Sequence, residues 1–328
     1  MESWEERSVL VTGGTGLVGS WLVNRLLKEG AKVTCLVLDS DPSSELIRSK
    51  NIEKVCVVNG NLADIDAVSR AVNHQSCDTI FHLGAQTIVG TAFADPVDTF
   101  RSNIQGTWNV LEVARRSNGL VKRLLVASSD KAYGTSKVLP YTEDMQLHGS
   151  GPYDVSKSAT DLLSQSYGKT YGLPVVVARC GNIYGGGDLN WSRIVPGTIR
   201  SLLAGETPVL RSDGKFLRDY IYVEDAVDAY MHMAEESEKQ NLKGEAFNFS
   251  RNEPLSVLDI YNEICKATVG NVVKPNILNS AKNEIRDQYL DSAKAHKKLG
   301  WSSKIDLQTG LTKTVAWYKD YFKRVSNV

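Results

Sequence analysis

Residues 126–134 read VASSDKAYG, so Asp130 and Lys131 directly follow a serine pair that ends an apolar run. Downstream, PYDVSKSATDLL sets Tyr153 and Lys157 four residues apart. On a helix that spacing places both side chains on one face. A lysine ammonium there lowers the pKa of the phenol and makes Tyr153 a base near neutral pH. Asp130 and Lys131 add an acid and a second ionisable group. The plain alternative is a hydrated turn, with Asp130 as an ordinary Asx-turn residue.

Such groups meet only if the chain brings strand ends and a helix start together. SVLVTG, KVTCLVL, EKVCVVNG, DTIFHLG, VKRLLVASS and LPVVVARC are near-continuous apolar runs, with helical patterns such as GSWLVNRLLKEG between several of them. Repeated βα units of this kind predict an α/β fold, a doubly wound parallel sheet covered on both faces. The SS pair then closes the fifth strand, at the sheet edge where such folds hold their cofactors. After Cys180 the rhythm breaks. Residues 1–180 read as a Rossmann dinucleotide-binding domain, and 181–328 mainly as a smaller C-terminal α+β substrate-binding lobe. Segments near 219–250 are expected to return to the first domain. GNIYGGGDLNW reads as a loop, and Gly185–Gly187 resemble a flexible linker.

The first strand runs into TGGTGLVGSW, with Gly13, Gly16 and Gly19 at the turn into the first helix. That context gives a tight turn, a close backbone approach to a pyrophosphate, and free N–H groups around Leu17 and Val18. Asp39 and Asp41 follow the second strand, and no arginine lies between that strand and Arg48. Carboxylates there suit ribose hydroxyls and repel a 2′-phosphate, so NAD is expected over NADP. Asn61 and Leu62 would lie beside the adenine. Leu83, Gly84, Ala85 and Gln86 follow the fourth strand, where the backbone passes the cofactor. His82 reads as a packed strand histidine.

Of 328 residues, 42% are hydrophobic and 23% charged, and the net charge is formally zero, so nothing global favours nucleic acid or an anionic membrane. No apolar run approaches a membrane span, and the acidic, polar start is unlike a secretory signal. Five scattered cysteines without CxxC pairs suggest reduced thiols in a cytoplasmic setting, and no cluster has metal-ligand spacing.

The glycine turn, Ser129 and the Tyr153/Lys157 pair resemble the extended short-chain dehydrogenase/reductase family, the NAD-dependent epimerases and dehydratases of nucleotide sugars. The resemblance extends to NIQGTWNVLE (103–112), RCGNIYGGGD (179–188), RDYIYVEDAVDAY (218–230) and LDSAKAHKKLGW (290–301), and thus covers nearly the whole chain. SSDKAYG and GNIYGGGDLNWSRIVP are most similar to the CDP-glucose 4,6-dehydratase branch. The resemblance implies oxidation at carbon 4 by NAD, loss of water from carbons 5 and 6, and hydride return to carbon 6. Tyr153, Lys157 and Ser129 would serve the first step, and Asp130 would protonate the leaving 6-hydroxyl. A 4-epimerase needs only the first three. Lys131 either takes the carbon-5 proton as a neutral amine or stays charged and orients the departing group. Asn103, with Gln86, is implied at the cofactor.

Asn182 and Gln86 are substrate candidates, and Arg193, Arg211, Arg218 and Arg286 could hold phosphate oxygens. Trp191 could stack on the base or pack against its own loop. Relatives pair two subunits through helices near 96–117 and 153–172, so a homodimer is expected. The other class of reading is a non-catalytic NAD-binding regulator on the same fold.

Overall fold

The apolar runs of the first half form six strands: β1 (Ser8–Thr12), β2 (Lys32–Val37), β3 (Cys56–Asn59), β4 (Thr79–His82), β5 (Arg123–Ala127) and β6 (Val175–Cys180). A computed structural model describes residues 4–39, 41–280 and 284–325. Among these, no helix is long and apolar enough to cross a membrane. Period-2 alternation sends Val9 and Val11 to one apolar cluster, with the helices Leu17–Lys28 and Val223–Lys239. Leu10 goes to the opposite cluster, with Ile65–His74 and Gly106–Arg116. Two covered faces explain why the strands read as unbroken apolar runs.

The short strands β7 (Asn182–Tyr184), β8 (Val209–Leu210), β9 (Leu217–Arg218) and β10 (Tyr220–Tyr222) lie outside this sheet. The chain then comes back: β11 (Glu245–Phe249) pairs in parallel with β6. The sheet order is β11-β6-β5-β4-β1-β2-β3, every neighbouring pair parallel. Strand order reverses between β1 and β4, which opens the crevice at their carboxyl ends. A third apolar cluster, holding Tyr184, Ile199, Tyr222, Tyr261 and Tyr318, forms the core of the second lobe.

The expectation of a flexible linker at Gly185–Gly187 is overturned. A Cβ on Gly186 would lie 2.2 Å from Cγ of Trp317, so the missing side chain makes room for an indole. The Trp21 indole donates to the Gly186 carbonyl at 2.7 Å, and Trp317 donates to Glu45 at 3.1 Å. Arg48 stacks over Trp317 and Tyr321 at 5.0 and 4.5 Å. The glycines form a packed seam, fastened by the last helix, Leu307–Val325.

Candidate active site

β5 ends at Ala127, and the Ser128 N–H still donates to Ala178 of β6 at 2.8 Å. Ser129 then caps a 3-10 turn, Asp130–Tyr133. Its hydroxyl donates to Asp130 Oδ1 at 2.9 Å and accepts from the Lys131 N–H at 3.2 Å. Contacts from neighbouring segments hold this turn in place. Ser158 donates to the Ala132 carbonyl at 2.8 Å, Tyr133 stacks on Tyr141 at 4.8 Å, and Arg179 donates to the Tyr133 phenol at 2.6 Å. Arg179 is itself fixed by two 2.8 Å bonds to Asp161 in a fully buried pair. Removing either partner of such a pair costs about 3–5 kcal/mol, because it strands a buried charge. Asp130 is 3% exposed, which excludes the hydrated-turn reading.

Tyr153 and Lys157 occupy the first turns of the helix Pro152–Tyr171. Ser129 reaches the Tyr153 phenol, so serine, acid and tyrosine converge on one spot. The electrostatics differ from the sequence expectation. Lys157 donates to the Ala127 carbonyl at 2.8 Å, and burial lowers it to about 8. Burial pushes Tyr153 up to about 12, with Arg193 the main opposing influence. In this structure desolvation of the phenol outweighs any help from Lys157. Burial likewise raises Asp130 and lowers Lys131. Their mutual attraction opposes both shifts, while Arg218 pushes Lys131 further down.

On the cofactor side, Gly13 has φ +72°, and a Cβ there would stand 2.7 Å from the Gly84 nitrogen. The β1 and β4 loops therefore touch. A Cβ on Gly19 would stand 2.0 Å from the Gly13 carbonyl oxygen. Gly16 caps the helix Leu17–Lys28 without any side-chain bond, so no side chain competes for the first-turn N–H groups at Leu17 and Val18. This cradle fits a pyrophosphate. Gly19→Ala is expected to weaken dinucleotide binding at least about 10-fold, since the close approach fails. Isothermal titration with NAD measures this, and unchanged affinity would contradict the cradle.

Asp39 is exposed two residues beyond β2. Asn61 is exposed, and its side chain accepts from Ala63 N–H at 2.8 Å. Leu62 fills the space between Gly84 and Gly106. Leu83, Gly84, Ala85 and Gln86 line the loop after β4, each partly exposed. The Asn103 amide is engaged with both backbone groups of Gln86, at 2.7 and 2.9 Å, and with Ser156 at 2.9 Å. Asn103 thus holds that loop against the helix Pro152–Tyr171. His82 is buried between Thr12 and Thr107, at 2.8 and 3.0 Å, and burial drops it to about 3.

The substrate-side residues form two groups. Arg193 pairs with Asp188 at 3.0 Å and faces Tyr153, and Arg211 donates to the Ser192 carbonyl at 3.0 Å. Arg218 is buried and donates to the carbonyls of Leu217, Ile285 and Arg286. Arg286 points to solvent. Asn182 donates to the Asp219 carbonyl at 3.1 Å. Trp191 packs against Tyr318, Tyr321 and Phe322 of the last helix, not on its own loop. Sequence reasoning passed over Asp154, Asp219 and Gln288. Asp154 follows Tyr153 directly and attracts Lys131. Asp219 sits inside the quoted RDYIYV run, but only the tertiary fold shows that the Asp130 charge acts on it.

A sequence model of the family described as GDP-mannose 4,6 dehydratase matches residues 10–314. An Arabidopsis thaliana protein, the trifunctional UDP-glucose 4,6-dehydratase/UDP-4-keto-6-deoxy-D-glucose 3,5-epimerase/UDP-4-keto-L-rhamnose-reductase, is 31% identical over 327 residues. The match takes in 97% of this chain and 48% of the plant protein, so the chain spans about half the length of that relative. The Thermotoga maritima UDP-glucose 4-epimerase, solved with UDP-glucose, superposes with a TM-score of 0.86 at 28% identity, covering 96% of this chain and 99% of that one. The Bacillus anthracis dTDP-glucose 4,6-dehydratase, solved with NAD, gives 0.85 at 25% identity, covering 97% and 98%. With the glycine cradle at one end of the crevice and the Ser129, Tyr153, Lys157 cluster at the other, this chain belongs to the GDP-mannose 4,6 dehydratase family of the NAD-dependent epimerase/dehydratase superfamily.

Proposed function

We propose that the chain is an NAD-dependent nucleotide-sugar 4,6-dehydratase that converts an NDP-hexose to its 4-keto-6-deoxy product. The observation that carries this reading is Asp130. It is a carboxyl buried beside Ser129 and facing Tyr153, which burial drives toward its protonated form. Moving hydrogen at carbon 4 does not require an acid there, whereas eliminating the 6-hydroxyl does.

NAD, when bound, supplies the hydride acceptor of the first step and the hydride donor of the last. The chain's residues handle the protons. Tyr153 takes the 4-hydroxyl proton, with Ser129 bonded to the same oxygen. The new ketone acidifies carbon 5, whose proton passes to Lys131 as neutral amine. Asp130 gives its proton to the 6-hydroxyl, which leaves as water. Lys131 then returns its proton to carbon 5 as carbon 6 is reduced. Tyr153 ends one proton richer and Asp130 one poorer, and exchange with solvent restores both. Burial lowers Lys131, the direction a neutral amine base needs.

A second reading, a 4-epimerase, is favoured by the Thermotoga likeness and by Ser129, Tyr153 and Lys157, which would suffice for it. Incubation with CDP-, UDP-, dTDP- and GDP-hexoses separates the two. We expect one of them to lose the mass of one water without accumulation of NADH. Inversion at carbon 4 with no water loss would establish the epimerase. The exposed apolar side chains Phe93, Val97, Trp108 and Leu162, near or on the helices expected to pair, support a homodimer. Five free thiols support a reducing, cytoplasmic compartment.

A further inference from the structure

Thr12 and His82 end β1 and β4 and stand opposite each other in the parallel register, beside the crevice. They are 0% and 3% exposed, so each of their polar hydrogens needs a partner inside the protein. Among the described residues the Thr12 hydroxyl meets the Gly84 N–H at 3.0 Å and His82 Nδ1 at 2.8 Å. The Gly84 N–H can only donate, so the hydroxyl proton points at Nδ1 and that nitrogen is bare. On the far edge of the ring, the Thr107 hydroxyl donates to the Asn103 carbonyl at 2.6 Å. It therefore accepts from His82 Nε2, 3.0 Å away, and Nε2 carries the proton. Two hydroxyls on separate elements thus require the same tautomer. The reverse tautomer would leave the buried Thr12 proton with no acceptor among the described residues.

We propose that His82, with its proton on Nε2, is a positioning residue for the dinucleotide: it fixes the loop after β4 and ties it to the helix that carries Tyr153 and Lys157. This rests on the dinucleotide cradle and holds for a dehydratase and an epimerase alike. On the Nδ1 side the bonds run through Thr12 to Gly84, whose backbone packs against Gly13 of the cradle. On the Nε2 side they run through Thr107 to Asn103. The Asn103 amide holds both backbone groups of Gln86 and the Ser156 hydroxyl, and Thr160 donates to the Asn103 carbonyl at 3.1 Å. Ser156 and Thr160 both belong to the helix Pro152–Tyr171. One imidazole therefore braces both ends of the segment 84–86, where the backbone passes the cofactor. The task needs an acceptor and a donor on opposite edges of a rigid ring, which a neutral histidine supplies. An imidazolium would aim a second N–H at the Thr12 proton, and burial and the Lys157 charge both disfavour it.

Nitrogen-15 NMR of ring-labelled histidine reads the proton arrangement in the wild-type protein, the His82 signals being those lost on its substitution. They should show a bare Nδ1 and a protonated Nε2, unchanged from about pH 5 to about pH 8, where an ordinary histidine titrates. A proton on Nδ1, or titration within that range, overturns the assignment. The positioning role is read by NAD affinity, from isothermal titration, set against melting temperature. His82→Asn can place its amide oxygen where Nδ1 stands and keeps the Thr12 proton satisfied. His82→Gln can place its amide N–H where Nε2 stands but strands that proton. Affinity for NAD should fall about 10-fold in His82→Gln, the size of effect expected when one buried group loses its partner, and by less than about 3-fold in His82→Asn. Losses that follow melting temperature, with no advantage for His82→Asn, would reduce the residue to core packing and overturn the role. Should neither variant fold, Thr12→Val, a change of similar volume, removes the hydroxyl between Nδ1 and Gly84. It too should weaken NAD binding about 10-fold, and unchanged affinity overturns the proposal. A wild-type protein that binds no NAD defeats the cradle itself, while the spectrum still decides the proton arrangement.

Discussion

Tyr153→Phe is expected to lower hydride exchange at carbon 4 and water elimination alike, by about 10²–10⁴-fold, the usual range for losing a general base. Both fall together because no carbon-5 chemistry precedes formation of the ketone. The substitution removes one oxygen from a side chain held by its helix, so nucleotide-sugar affinity should survive. Single-turnover absorbance of reduced nicotinamide reads the first step, and mass spectrometry of the sugar reads the second. Intact turnover would remove Tyr153 from the base role. The pH dependence has a defined sign. Burial holds the phenol near 12, so its active, ionised fraction grows as pH rises through the neutral range. The gain should end where Lys157, lowered to about 8 by burial, loses its own proton. A rate that fell with rising pH from the acid side would contradict a tyrosinate base.

Asp130→Asn should split the two steps. Elimination is expected to drop by about 10²–10⁴-fold, because the amide has no proton to give to the 6-hydroxyl. Hydride exchange at carbon 4 should remain measurable, since Tyr153, Ser129 and Lys157 are untouched. The fold should tolerate the change. Asparagine keeps an oxygen for the Ser129 hydroxyl, bonded at 2.9 Å, and its NH₂ can donate toward the orphaned acceptors nearby. Equal loss of both steps would deny Asp130 a separate acid role.

The fold was legible because local patterns dictate it. Apolar runs flanked by glycine turns predict a two-faced parallel sheet, and the structure has one of seven strands. Gly185–Gly187 misled for a physical reason. A glycine run has the same local signature whether it bends freely or makes room for a side chain, and Trp317 arrives 131 positions after Gly186. In the site, the four-residue spacing of Tyr153 and Lys157 could be read directly, because helix geometry alone puts them together. The ionisation of Tyr153 could not, since it depends on burial by distant segments. Asp219 was hidden for the same reason. In sequence it is a polar residue before an apolar run, and only the tertiary fold brings it within electrostatic reach of Asp130.

The parallel pairing of β11 with β6 also bears on how the protein is made. When Cys180 has left the ribosome, β6 is an apolar strand with one edge open, and its covering partner has not been synthesised. About sixty-five residues separate them, roughly 3–13 s of translation. During that interval the nascent chain displays VVVARC as a template for stray strand pairing. Chaperone supply and codon-set translation speed between residues 181 and 249 should therefore govern the soluble yield of this protein more than its final stability does.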